Sequence, residues 1–128
     1  MERALRVTND KWQVTSEMKI NEQRSGAVTV LKPEGPLLET DAAAFKQKLM
    51  ATLSASLGRF VIDMSAVPYV DSKGLEALVE VTEEMSRSGQ ALRLCNPNKT
   101  MREVLELTDL SSLFDHFEDT NTAVRSFL

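Results

Sequence analysis

The chain has 128 residues, a formal net charge of −4, a hydrophobic fraction of 42% and a charged fraction of 27%. These values are typical of one globular domain with its own core. There is no Lys- or Arg-rich surface of the kind needed to bind nucleic acid or anionic membranes, and no apolar run reaches the roughly 20 residues that cross a bilayer.

The N-terminus predicts an extension followed by one domain. Residues 1–15 are polar and aperiodic apart from Trp12, so we assign them to an N-terminal extension and residues 16–128 to the domain. The first ten residues lack the apolar stretch of a secretory signal. A lone cysteine, Cys95, excludes an intramolecular disulfide and fits a reducing compartment. We therefore predict a cytoplasmic protein.

Two short strands are predicted next, over Met18–Asn21 and Ala27–Leu31, the second rich in β-branched residues. The turn between them is predicted at Arg24–Gly26, so that the two strands pair as a hairpin. The segment Pro33–Pro36 is predicted to exclude regular structure.

A helix is predicted from a cap at Thr40 and Asp41 to about Leu57, where Gly58 ends it. Its apolar face is predicted to hold residues at i, i+4 spacing: Phe45, Leu49, Leu53 and Leu57. Beyond it, strands and helices alternate. Strands are predicted over Arg59–Met64, Ala91–Cys95 and Leu113–Phe117, and helices after Ser72, around Met101–Thr108 and over Thr120–Leu128.

Strands separated by helices need crossover connections, which favour parallel pairing. The sequence therefore predicts an α/β fold with a mixed central sheet of four to five strands and about four helices. The helices are too many to divide evenly over so small a sheet, so one face is predicted to be covered mainly by helices and the other left more open.

Ser72 stands in Asp71-Ser72-Lys73-Gly74, at the start of an amphipathic helix. Unpaired N–H groups and the positive end of the helix dipole gather at such a position, so they are expected to receive a phosphate on Ser72. The phosphate would add about −1.5 to −2 charges to a surface on which a partner docks. The structural alternative is that Asp71 or Ser72 only caps the helix.

The stretch from Val61 to Leu75, VIDMSAVPYVDSKGL, resembles the signature of the STAS family of anti-sigma factor antagonists. In that family a buried strand ending in Asp is followed by a short loop and by Asp-Ser-x-Gly-Leu at a helix start. The resemblance covers most of the chain from about Met18 onward. It implies that Ser72 is the serine phosphorylated by an anti-sigma factor kinase, and that Asp63 and Asp71 match the family's acids.

The resemblance implies a non-enzymatic bacterial signalling protein that regulates transcription and has no cofactor or metal. The unphosphorylated form would sequester an anti-sigma factor that is also the serine kinase, and a phosphatase would restore binding. Nucleic acid and direct membrane contact are not expected, and the protein is expected to be a monomer or weak dimer. The predicted partner surface comprises Asp41, Asp71, Ser72, Lys73, Gly74 and Glu76.

This sequence departs from the family's pattern near the serine. Lys73 and Glu76 stand where small residues are common, and no Asp follows Leu37 or Leu38. An alternative function without phosphoregulation is therefore kept: an accessory STAS subunit of a lipid-transport ABC assembly, or part of a signalling scaffold. A nucleotide-binding or small-enzyme function is less favoured, because the sequence has no Gly-rich phosphate loop.

Other polar candidates are assigned structural roles. Asp63 and Asp71 flank one loop and are candidates for a cation site, but two acids without further ligands more often cap or solvate loop ends. His116, the single histidine, is interpreted as a surface residue, and Cys95 as a small core side chain.

Overall fold

The computed structural model describes residues 18–128, so the predicted extension over 1–15 lies outside the described residues. Five strands form one mixed sheet in the order β1-β2-β3-β4-β5. The strands are β1 (Lys19–Ser25), β2 (Val28–Glu34), β3 (Phe60–Asp63), β4 (Leu92–Cys95) and β5 (Phe114–Phe117). The first two pair antiparallel and the others parallel. The predicted hairpin and mixed sheet are thus confirmed.

Four α-helices connect or follow these strands. They are α1 (Glu39–Ser56), α2 (Ser72–Ser86), α3 (Lys99–Leu107) and α4 (Thr120–Arg125), with a 3₁₀ turn over Ser111–Leu113. No helix within residues 18–128 is long and apolar enough to cross a membrane.

The two faces of the sheet are covered unequally, as predicted. Successive side chains of a strand point to opposite faces. Phe60 and Ile62 of β3 belong to the large buried cluster shared with α1, α2 and α3, whereas Val61 belongs to a small cluster around Ala123 of α4. Three helices therefore cover one face, and the short α4 covers the other.

The hairpin differs from the prediction in its turn and its length. The turn is Gly26–Ala27, so Arg24 and Ser25 belong to β1. The prediction that Pro33–Pro36 excludes regular structure was wrong for its first half, because Pro33 lies within β2 opposite Ile20. Pairing of β2 with β3 ends at Leu31, so the missing N–H of Pro33 breaks no hydrogen bond to β3.

The start and end of α1 also differ from the prediction. The helix begins at Glu39, with Leu38 as its N-cap residue, because Asp41 lies in its first turn and accepts a bond from the backbone N–H of Leu38 at 3.4 Å. Leu57 was predicted on the apolar face but is 72% exposed. It follows the last helical residue with a φ of +56°, which turns its side chain away from the core. The predicted helix to Leu128 ends earlier, at Arg125.

Candidate functional site

Two chain segments meet at the edge of the sheet where the parallel strands end. The backbone N–H of Leu37 donates to Tyr69 O at 3.0 Å, and that of Asp71 donates to Leu37 O at 3.1 Å. Leu37 and Val70 thereby form an isolated parallel bridge. The segment that leads into α1 and the loop that leads into α2 are thus joined by backbone hydrogen bonds just before both helices begin.

Asp71 holds the starts of both helices through its two carboxylate oxygens. Oδ1 accepts from the N–H of Gly74 at 2.8 Å and so caps α2, while Oδ2 accepts from the N–H of Glu39 at 2.7 Å at the start of α1. The Gly74 bond is the main cause of a lowered Asp71 pKa, with the Glu39 bond adding to it against partial desolvation. Asp71 therefore stays ionised at neutral pH and fixes the relative position of two helices.

Gly74 is buried against the segment before α1. A Cβ placed on it would lie 2.5 Å from Leu37 O and 2.8 Å from Leu37 Cγ. The space next to its Cα is filled by Leu37 and is not open to a partner. Its absence of a side chain lets α2 approach the start of α1.

Ser72, Lys73 and Glu76 are exposed on the first turns of α2. Lys73 Nζ lies 3.4 Å from Glu76 Oε1, which makes a surface ion pair within the helix. Such a pair contributes about 0.3–0.5 kcal/mol or less. The Ser72 hydroxyl makes no hydrogen bond within the described part of the chain.

The expected reception of a phosphate by the helix N–H groups stays a prediction, because Asp71 competes for the same donors. Asp71 already occupies the N–H of Gly74, and its pKa is lowered also by the N–H of Lys73. At least the N–H of Gly74 is therefore not free to receive a phosphoryl group on Ser72.

Asp41, the remaining member of the predicted partner surface, is only 7% exposed. Its bond to the N–H of Leu38 places it in the first turn of α1, close in the chain to Glu39, which Asp71 binds. Of the six predicted residues, the structure brings Asp71, Ser72, Lys73, Gly74 and Glu76 together at the start of α2, and Asp41 supports the neighbouring helix start.

Asn98 is a site residue that the sequence reasoning missed. Its Oδ1 caps α3 by accepting from the N–H of Met101 at 2.8 Å. Its Nδ2 also donates to Val67 O at 3.0 Å and to Pro68 O at 3.3 Å, in the loop that leads to Ser72. The only signal in the sequence was that an Asn stands here. A helix cap needs only an acceptor oxygen, so the NH₂ group of Asn indicated a second partner.

Asp63, Cys95 and His116 have the structural surroundings expected of them. Asp63 Oδ1 accepts from the N–H of Ser65 at 3.0 Å and from Asn96 Nδ2 at 3.1 Å. Cys95 is buried, which raises its pKa to about 11, and His116 is exposed on β5. Residues 18–128 contain no group of three or more His, Cys, Asp or Glu side chains that could hold a metal ion.

The chain belongs to the STAS domain family, whose sequence profile matches residues 19–123. It is 23% identical over 110 residues to BtrV of Bordetella bronchiseptica, a protein named as an anti-sigma factor antagonist, with 86% of this chain and 95% of that protein aligned. The resemblance noted from the sequence is thereby confirmed at the level of the family.

Solved structures support the same fold. A crystal structure named as an anti-sigma factor antagonist of Thermotoga maritima has a TM-score of 0.76 and 24% identity, covering 84% of this chain and 92% of that one. The phosphorylated form of the Bacillus cell fate determinant SpoIIAA has a TM-score of 0.63 and 16% identity, covering 87% and 99%. The predicted α/β architecture is therefore confirmed.

Proposed function

We propose that this protein is an anti-sigma factor antagonist whose binding is switched off by phosphorylation of Ser72. The observation that carries the proposal is that Asp71 caps α2 while Ser72, the next residue, does not. Asp71 caps the helix through Gly74, so the exposed hydroxyl of Ser72 is left without an internal hydrogen bond among the described residues. A serine needed only as a cap would hold the position that Asp71 holds.

The family and the names of the relatives support the binding part of the proposal. The unphosphorylated protein sequesters an anti-sigma factor that is also a serine kinase, and a phosphatase restores the binding form. The protein works in the cytoplasm as a monomer or weak dimer, with no catalytic activity, cofactor or nucleic acid ligand of its own.

The switch acts through surface charge and bulk. The phosphate carries about −1.5 to −2 charges at neutral pH. The carboxylates of Asp71 and Glu76 flank the site, and the one cation among these neighbours, Lys73, already pairs with Glu76. A partner surface matched to the small hydroxyl of Ser72 is therefore met by a bulky, hydrated dianion. The fold itself is expected to stay unchanged.

A kinase assay tests the proposal. The protein is incubated with ATP and each purified anti-sigma factor kinase encoded in its own genome, and intact mass is recorded. We expect the mass of one phosphate to appear on the wild type and on Ser54→Ala, a control for another exposed serine, but not on Ser72→Ala. Lack of phosphate on the wild type, together with lack of a complex in the unmodified state, would refute the proposal.

The same assay distinguishes the proposal from the alternative, an accessory role in a lipid-transport ABC assembly. In that case neither phosphorylation nor a complex with an anti-sigma factor is expected. Genes for a transporter ATPase and permease beside this gene, in place of sigma factor and kinase genes, would then be the expected neighbourhood.

A further inference from the structure

Tyr69 displays its ring on the surface near the start of α2. Tyr69 is 48% exposed. In the described part of the chain it is the one exposed residue among Phe, Trp and Tyr. Its hydroxyl makes no hydrogen bond within that part. The other aromatic residues there are buried or partly buried: Phe45, Phe60, Phe114, Phe117 and Phe127. The ring of Tyr69 thus contributes little to the core.

The backbone beneath this exposed ring is held on two sides. Leu37 donates to Tyr69 O at 3.0 Å. Asn98 Nδ2 donates to the carbonyls of the two preceding residues, Val67 and Pro68, at 3.0 and 3.3 Å. An aromatic side chain on a fixed backbone has few torsions left to order, so binding through it costs little conformational entropy.

Tyr69 and Ser72 belong to one surface. They are three positions apart in the chain, so their Cα atoms are at most about 11 Å apart. Asp71, between them, is tied to Leu37, Gly74 and Glu39, which fixes the connection. A protein interface of ordinary size covers about 800 Å² on each partner, an area wide enough to include both positions.

We infer that Tyr69 is the aromatic anchor of the surface that binds the anti-sigma factor, its ring entering an apolar pocket on that partner. This inference rests on the proposed function and extends it to a residue that determines affinity. Buried aromatic anchors carry much of the binding energy in protein interfaces, while charged neighbours form a polar rim. The exposed side chains of Lys73, Glu76 and Lys99 supply such a rim here.

Calorimetry with the anti-sigma factor kinase that binds the unphosphorylated wild type tests the inference. We expect Tyr69→Ala to weaken binding at least tenfold and Tyr69→Phe, which keeps the ring, to weaken it less than threefold. Leu107→Ala is the matched control, because Leu107 is 87% exposed and lies at the far end of α3. Its affinity should equal that of the wild type.

The urea midpoints of all three variants are measured beside their affinities. A Tyr69→Ala protein that keeps its midpoint and binds as tightly as the wild type overturns the inference and leaves the proposed function intact. An equal loss in Leu107→Ala also overturns it, since the effect would then not depend on the position of the ring. If the wild type itself neither binds nor is phosphorylated, the proposed function fails first, and this inference with it.

Discussion

The loops that follow β3 and β4 leave the same edge of the sheet but differ in how they use their side chains. The loop over 64–71 presents Tyr69 to solvent and ends in the cap of the helix that carries Ser72. The loop over 96–98 turns its two asparagines inward, toward Asp63 and toward the carbonyls of Val67 and Pro68. One loop displays the candidate interface, and the other holds it in place.

This difference shows how an exposed candidate site can be held on a rigid backbone. Loops of this kind carry function on a scaffold that positions them. Here the scaffold includes an amide side chain, Asn98, and a carboxylate, Asp71, which each cap a helix and also bind a second chain segment. Changes to the supporting residues should therefore alter stability, whereas changes to the displayed residues should alter binding.

The largest effect on stability is expected from Gly74→Ala. The new Cβ would meet the backbone of Leu37, which cannot move as freely as a side-chain tip. Overpacking costs about 1–3 kcal/mol and exceeds the helix propensity gained, about 1 kcal/mol or less. Urea unfolding should show a net loss of stability, and Glu83→Ala, on the exposed side of α2, should show almost none. A Gly74→Ala protein more stable than the wild type would contradict the close approach.

A smaller effect, about 1 kcal/mol, is expected from Asn98→Asp. Aspartate keeps the oxygen that caps α3 but loses the N–H groups that hold Val67 O and Pro68 O. Hydrogen exchange should become faster at the N–H of Leu37, which donates to Tyr69 O, and stay slow at the N–H of Met101, which the cap protects. Unchanged exchange at Leu37 would show that the second loop does not hold the first.

The smallest expected effect is on the pH dependence of stability. Because the Asp71 pKa is lowered on folding, its ionised form adds stability above its unfolded pKa of about 3.9, and this contribution is lost as the pH falls through the lower folded value. Asp71→Asn, with a single oxygen for two N–H donors, should destabilise the protein at pH 7. The difference from the wild type should shrink toward pH 2.

Asp119→Asn provides the matched comparison for this titration. Asp119 also has a lowered pKa, chiefly from the N–H of Thr122, but it caps only the short α4. Its pH-dependent difference should have the same sign and be smaller than that of Asp71. An equal or larger effect at Asp119 would mean that the bond from Asp71 to Glu39 adds nothing.

Local patterns predicted the elements better than the contacts among them. The β-branched run of β2 and the alternation of strands and helices were evident in the sequence, because each depends on neighbours in the chain. Asp71 and Ser72 were both candidate caps of α2, and the structure assigns the cap to Asp71. The start of α1 was placed too late, since Leu38 is an unusual N-cap and the Glu39 N–H is satisfied by Asp71, 32 residues away.

For the candidate site, too, the local features were predicted and the tertiary contacts were not. The resemblance around Ser72 identified the helix start, which is a local feature. The close approach of Gly74 to Leu37 and the bonds from Asn98 to the preceding loop depend on tertiary geometry that spacing does not encode. The exposure of Tyr69 was not predicted, because it follows from the hydrogen-bonded path of the loop.

The affinity of Ser72→Ala and Ser72→Asp for the anti-sigma factor kinase, measured by calorimetry in parallel, tests the central claim most directly. Both variants should unfold within about 0.5 kcal/mol of the wild type, because Ser72 is exposed and Asp71 supplies the cap. We expect Ser72→Ala to bind as the unphosphorylated wild type does and Ser72→Asp to bind at least tenfold more weakly. Equal affinities of the two variants would contradict a switch that acts by charge at Ser72.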